Sequence, residues 1–276
     1  MPGIPSTILY ETLLLPSINL ERDIRVDFYL PTSVADPSSM SLLLINDGQD
    51  MEKLGFLGML EDFYSRDAIS PLLCVGIHAG TERKMEYGTA KILDYKRRGA
   101  KAQRYTDFIF KELLPYISKT YRVQEFREKS FAGFSLGGLS ALDIVWNYPS
   151  QFAKVGVFSG SLWWRTRDKN AKNYNDNTDR IMQQQIRNGG FYPWLRFFFE
   201  CGAADEEEDR NNNGVIDSID DTLDLITELH AKGYQDQDIR YLQLDDGKHD
   251  VATWSRAMPV FLRWGWGRDQ AASLPK

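Results

Sequence analysis

The stretch Ser130-Phe131-Ala132-Gly133-Phe134-Ser135-Leu136-Gly137-Gly138 decides the fold. It sets the pattern G-x-S-x-G between an apolar β-run and an amphipathic helical run, Leu139, Leu142, Val145 and Trp146, and that context gives the pattern its meaning. A serine between a strand end and a helix start sits on a strained turn, and a Cβ on a flanking glycine would collide with the neighbouring strand and helix. The hydroxyl is thereby held up at the C-terminal edge of a sheet, over a helix N-terminus that favours developing negative charge. Ser135 is the expected nucleophile.

Outward from this turn, short β-rich runs alternate with helical ones, the signature of a mostly parallel sheet with helices on both faces. The runs Thr7–Leu15 and Ile24–Leu30 follow each other without a helix and are read as an antiparallel pair. Further strands are expected at Leu42–Ile45, Leu72–Ile77, Ser130–Gly133, Ala153–Phe158, Leu195–Cys201 and Ile239–Leu244, eight in all. Helices are expected near Met51–Ser65, Lys101–Ser118, Leu136–Asn147, Thr178–Asn188, Ser218–Lys232 and from about Val251. Pro115 and Pro259 should kink or shorten theirs, because proline lacks the N–H and clashes with the preceding turn. The segments His78–Gly99 and Ser159–Asn177 are too long for simple connectors, and loops of that length usually carry function.

The 276 residues read as one α/β domain, 1–276, with 42% hydrophobic and 26% charged residues, the balance of a globular chain. A net charge of −6 argues against a nucleic-acid partner, whose grip would need clustered Lys and Arg. Much of the negative excess lies between Asp205 and Asp224. The N-terminal residues lack the pattern of a signal peptide, and no window has the length of apolar sequence that crosses a membrane. Cys74 and Cys201 fall in apolar strand-like runs, where buried reduced thiols are expected. A cytoplasmic location and no membrane partner are the resulting expectations.

A serine hydroxyl is a poor nucleophile until an imidazole takes its proton, and the chain has three histidines. His230 lies near the end of the Ser218–Lys232 helix, where it suits the helix dipole. His78 precedes the nucleophile, the wrong order for this arrangement. His249 follows the last strand, in Asp245-Asp246-Gly247-Lys248-His249-Asp250, and is the expected base. The acid that fixes the imidazole tautomer should leave the strand between Ser135 and His249, which points to Asp205, with Glu206 and Glu207 as alternatives. One oxyanion donor is expected from the backbone N–H of Leu136. The second is expected from Gln49 in Asn46-Asp47-Gly48-Gln49-Asp50.

These residues resemble the putative esterase family of the α/β-hydrolase superfamily, which includes enterochelin, feruloyl and acetyl-xylan esterases, S-formylglutathione hydrolase and the antigen 85 mycolyltransferases. The matching pieces are Arg25–Pro31, Asn46–Gln49, Glu86-Tyr87 before Arg97-Arg98-Gly99, Phe108–Tyr121, Gly133–Gly138, Ser159-Gly160-Ser161 with Trp163-Trp164, and Gly247-Lys248-His249 with Trp254. The resemblance implies an α/β-hydrolase fold, the Ser135, Asp205, His249 triad, the Gln49 and Leu136 donors, and a small-molecule ester as substrate. It does not name the acyl group.

Trp163, Trp164 and Trp254 are candidate walls of an aromatic pocket for an aryl or sugar substituent. The chemistry requires no cofactor. The segment Asp209–Asp220 departs from the family pattern: Asp209, Asn211, Asn213, Val215, Asp217 and Asp220 have the spacing of an EF-hand-type loop, so a structural calcium ion is one reading. Turn and N-cap roles for the next helix are the other. Two rival functions use the same residues: acyl transfer to a sugar or thiol, and a catalytically silent, calcium-stabilised binding module.

Overall fold

In the computed structural model, residues 7–268 are described, apart from 33 and 35. The first two strands, β1 (Ile8–Ser17) and β2 (Arg22–Pro31), pair antiparallel through all ten positions of each. After β3 (Ser41–Asn46) come α1 (Phe56–Ser65), β4 (Leu72–Ile77), the short α2 (Arg83–Glu86), α3 (Ala102–Phe108) and α4 (Leu114–Tyr121). Then β5 (Lys129–Phe134), α5 (Leu136–Asn147), β6 (Lys154–Phe158), α6 (Asp176–Asp179) and α7 (Ile181–Asn188) follow. The chain closes with β7 (Arg196–Ala204), α8 (Asp217–Lys232), β8 (Ile239–Lys248) and α9 (Val251–Trp266).

The eight strands form one sheet in the order β1-β2-β4-β3-β5-β6-β7-β8. Every pairing from β4 to β8 is parallel, so the C-terminal ends of β5, β6, β7 and β8 lie along one edge. Strands β3 and β4 are buried at every position because both faces are covered: Leu42 and Leu44 face one core, Leu43 and Ile45 the other. Helices α1 and α9 pack on the second face, α3, α4, α5, α7 and α8 on the first.

Two expectations about proline need correction. The long helix is not simply kinked at Pro115; a π-helical turn at Ile109–Leu113 separates α3 from α4 and absorbs the irregularity before the proline. Helix α9 is not shortened by Pro259 but runs on to Trp266, its apolar face held by Trp254, Met258, Phe261 and Leu262 in the core. Cys74 and Cys201 are buried, free thiols. No helix among the described residues is long and apolar enough to cross a membrane.

Candidate active site

Ser135 joins β5 to α5 with φ 54° and ψ −120°, a conformation that a non-glycine residue adopts only where its surroundings impose it. The surroundings do so. Its N–H donates to the Phe158 carbonyl (2.8 Å), and its own carbonyl accepts from Gly138, Leu139 and Ser161. A Cβ on Gly133 would lie 2.3 Å from the Gly137 carbonyl oxygen, and one on Gly137 would lie 2.5 Å from Asp47 Oδ2. The strand and the helix therefore meet backbone to backbone, and the side chains of Asn46, at the end of β3, and Asp47, in the loop after it, close on Gly137. Ser135 stays half-exposed at the edge, with the free N–H groups of the first turn of α5 beside it.

The loop after β3 carries the expected second oxyanion donor, Gln49, in a 3₁₀ turn, Gly48–Asp50. Asp47 enters that turn in the left-handed region at φ 62° and is fully enclosed. Arg83 grips both its oxygens at 2.7 Å, and its N–H reaches the Tyr87 hydroxyl at 3.2 Å. The Gln49 side chain closes the turn, donating to Asp47 and accepting from the Ala79 N–H.

Asp205 follows β7 and His249 follows β8. Their loops touch where Gly202 and Gly247 pack together: a Cβ on Gly202 would fall 2.4 Å from the Gly247 carbonyl carbon. Burial raises the pKa of Asp205, against the opposing pull of Ser159 and of His249. His249 is exposed, yet its pKa is lowered, first by loss of hydration against the protein and then by the positive field of Arg83, with Asp205 acting the other way. The Asp205 carboxylate and the His249 imidazole are thus electrostatically coupled. Among the described residues no side-chain hydrogen bond joins Ser135, Asp205 and His249. Among the described residues Ser135 Oγ faces Ser161 Oγ at 3.4 Å, and neither Asp205 carboxylate oxygen has a hydrogen-bond partner. Such bonds are often long without substrate and tighten when it binds.

The three tryptophans separate. Trp163 is half-exposed, with Arg98 and Arg165 at 5.0 and 5.7 Å from its ring, and it lines a cavity of about 490 Å³ together with Tyr95 and Glu206. Trp164 does not line a pocket: it is fully buried, packed against Gly88 and Gly99. Trp254 is also corrected. It is 7% exposed and acts as a wedge, with its ring stacked on Phe134 at 5.0 Å, its Nε1 donating to Ser159 Oγ at 2.9 Å, and its ring edge-on to His249 at 5.4 Å. One side chain thereby ties the nucleophile's strand to the segment after β6 and to His249.

The loop 209–220 adopts tight turns, with the Asp209 carboxylate accepting from the N–H groups of Asn213 and Gly214, and Asn213 Oδ1 accepting from Val215. The remaining candidate ligands are engaged within the protein. The Asn211 and Asn213 amides both donate to Asp220, and Asp217 accepts from the Arg210 N–H and pairs with its guanidinium. Arg210 also pairs with Asp176 and Asp221, so a guanidinium supplies the positive charge at the heart of this acidic segment. Among the described residues no group of three or more His, Cys, Asp or Glu is placed to hold a metal ion. His78 sits 2.6 Å from Asp27, and His230 meets the Tyr234 carbonyl at 3.0 Å.

Sequence reasoning did not single out Arg83, Asp47, Ser159, Ser161 or Glu200. Arg83 lay inside a segment read as an overlong loop, and the two serines lay in the Ser-Gly-Ser run noted only as a family match.

Residues 17–264 match the protein family described as Putative esterase. The chain is 27% identical over 255 residues to the uncharacterized protein YbbA of Bacillus subtilis strain 168, which covers 90% of this chain and 94% of that protein. The crystal structure of the enterochelin esterase of Shigella flexneri superposes with a TM-score of 0.70 at 21% identity, covering 96% of this chain and 59% of that one, so this chain spans about three-fifths of that length. An IroE-like serine hydrolase of Shewanella oneidensis gives a TM-score of 0.70 at 18% identity, covering 93% and 79%. At these identities the two structures share the fold.

Proposed function

Because this chain belongs to the family described as Putative esterase, we propose that it is a serine carboxylic-ester hydrolase in which Ser135 is acylated, His249 is the base and Asp205 orients the imidazole. The observation that carries this reading is the backbone of Ser135, strained at φ 54° on the one turn where β5, α5 and the Asp47–Gly48 loop are in contact. Strain of this kind persists where surrounding structure over-determines it, and it clusters at functional sites.

The steps follow from the placement. His249 takes the hydroxyl proton as Ser135 Oγ attacks the ester carbonyl, and a tetrahedral oxyanion forms. Backbone N–H groups of Leu136 and Gln49 stabilise it, each such donor contributing roughly 3 kcal/mol in comparable sites. The imidazolium returns its proton to the departing alcohol, leaving the acyl group on Ser135. Water, deprotonated by the same imidazole, then attacks and frees the acid. The Asp205 carboxylate favours the imidazolium at both steps.

A fluorophosphonate probe tests this directly, since it reacts with an activated serine and not with an ordinary one. One equivalent is expected on the peptide carrying Ser135, with matching loss of activity toward an activated ester. Absence of labelling would leave the silent binding module as the better reading.

The substrate reading rests on Trp163, whose half-exposed ring flanks the cavity only two residues beyond Ser161. An aryl or sugar group stacks on such a face. Trp163→Ala is expected to raise KM for an aryl ester or acetylated sugar about 10-fold, while kcat/KM for a small activated acetate stays within about two-fold. Equal KM values for variant and parent across a panel of feruloyl, acetyl-sugar, siderophore and thioester substrates would remove Trp163 from the pocket.

A further inference from the structure

Glu200 takes no part in these steps, yet it is the buried carboxyl beside them. It lies in the middle of β7, 1% exposed, opposite Phe158 at the end of β6. Side chains alternate along a strand, so Glu200 shares the face of Phe198, which packs against Phe261 of α9. Neither of its carboxyl oxygens has a hydrogen-bond partner of good geometry, and the same holds for both oxygens of Asp205.

Gly202, two residues on and so on the same face, would place a Cβ 2.7 Å from Asp205 Oδ1, so the two carboxyl groups meet in one enclosed place. The polar group that faces both is the Ser159 hydroxyl. It already accepts from Trp254 Nε1, so it has a single proton to offer, and one carboxyl can receive it. Of the other charged or titratable neighbours only Arg256 opposes the shift, and by less than burial and Asp205 drive it. Arg256, from α9, is half-exposed and paired with Asp246. Tyr241, from β8, and Cys201, next along β7, are held protonated by burial. His249 and Asp250 act on Asp205 rather than on Glu200. Leaving two adjacent buried carboxylates ionised costs far more than protonating one of them. The proton belongs on Glu200, because Asp205 has the imidazole to stabilise its charge.

We propose that Glu200 is a positioning residue: a neutral carboxyl that donates its proton into the Ser159–Asp205 cluster and so keeps the negative charge on the oxygens that serve His249. This rests on the hydrolase reading for its catalytic consequence, but not for the protonation itself. Burial, with the charge of Asp205 adding to it, pushes the Glu200 carboxyl up to about 8. Above that pH its proton passes to solvent, the hydrogen bond is lost, and a second negative charge stands beside Asp205. The added charge perturbs the imidazole, and without the hydrogen bond the cluster no longer fixes the Asp205 carboxylate that orients His249.

The sign for stability follows. A carboxyl whose pKa is higher in the fold than in the unfolded chain contributes fully below the unfolded value, and that contribution is lost as pH rises through the folded value. Glu200→Gln, the same size and always neutral, removes the effect. Its Tm is expected to match the parent near pH 5 and to exceed it by several degrees, on the order of 5 °C, at pH 8. In the parent, the His249 imidazole resonance should show a second inflection near pH 8, and kcat/KM should fall there; in Glu200→Gln both should vanish. Glu200→Met, neutral but without a donor, should keep the Tm gain and lose about 10-fold in kcat/KM at pH 7.

An unchanged Tm difference between pH 5 and pH 8 would overturn the protonation. A normal Tm response with no second inflection of His249 in the parent would overturn the positioning role. If no ester is turned over and no serine is labelled, the hydrolase reading falls, while the imidazole titration still decides whether Glu200 acts on this cluster.

Discussion

Ser135→Ala is expected to lower kcat/KM for a small activated ester by about 10⁴-fold or more, with the fold and its thermal midpoint left almost unchanged. The size follows from what the hydroxyl does. Without it no acyl-enzyme forms, His249 has no proton to take, and what remains is the contribution of the oxyanion donors and of binding to attack by water. The neutrality for stability follows from contacts. Ser135 Oγ has one long interaction, with Ser161 Oγ at 3.4 Å, while the backbone bonds to Phe158 and from Gly138, Leu139 and Ser161 are indifferent to the side chain. Alanine meets the same φ restriction as serine, so the strain of the turn is retained. Steady-state kinetics beside a thermal melt checks both halves. A variant keeping more than a tenth of the parent's kcat/KM would show that the chemistry lies elsewhere.

The architecture was legible because the β-runs are long, apolar and separated by strong helical patterns. The strand Leu72–Ile77 and the helix Leu136–Asn147 have the bounds that their periodicity implied. Strands β7 and β8 run further than expected, to Ala204 and Lys248, because the Gly202–Gly247 contact lets pairing continue with a register shift. That extension is a property of two segments meeting, which neither shows alone. The tryptophans were misread for the same reason: a Trp pair after a strand can present either ring to solvent, and the buried one is chosen by Gly88 and Gly99 across the molecule. Glu200 left a signal that was passed over. In Arg196-Phe197-Phe198-Phe199-Glu200-Cys201 a lone carboxylate interrupts a run with the composition of a strand covered on both faces, and a charge there needs a partner or a proton. In the acidic segment the ligand-like spacing of Asp209–Asp220 stands out in the sequence, whereas the pairing of Arg210 with Asp176, Asp217 and Asp221 is visible only in the fold.

The choice of acid among Asp205, Glu206 and Glu207 admits a second decisive substitution. Glu206 responds to Asp217, Asp221 and Glu208 and lines the cavity of Trp163, so it faces the acidic segment. Asp205 responds to His249, and His249 to it. Asp205→Asn is therefore expected to lower kcat/KM by roughly 10⁴-fold, because the amide cannot stabilise the imidazolium and can hold the ring in the wrong tautomer. Glu206→Gln should leave kcat/KM within about three-fold for a small ester, since it faces the acidic segment and the substituent cavity rather than His249. The pH profile carries an independent sign. Activity requires neutral imidazole, so kcat/KM falls as pH drops through the apparent pKa of the coupled pair, which stands below the ordinary histidine value because dehydration and Arg83 outweigh Asp205. Removing the Asp205 charge removes the one large influence favouring the imidazolium, and the acidic limb should move to still lower pH as the plateau collapses. A plateau loss with an unmoved limb would mean that Asp205 holds the loop without acting on the imidazole, and loss of activity in Glu206→Gln with retention in Asp205→Asn would reassign the acid.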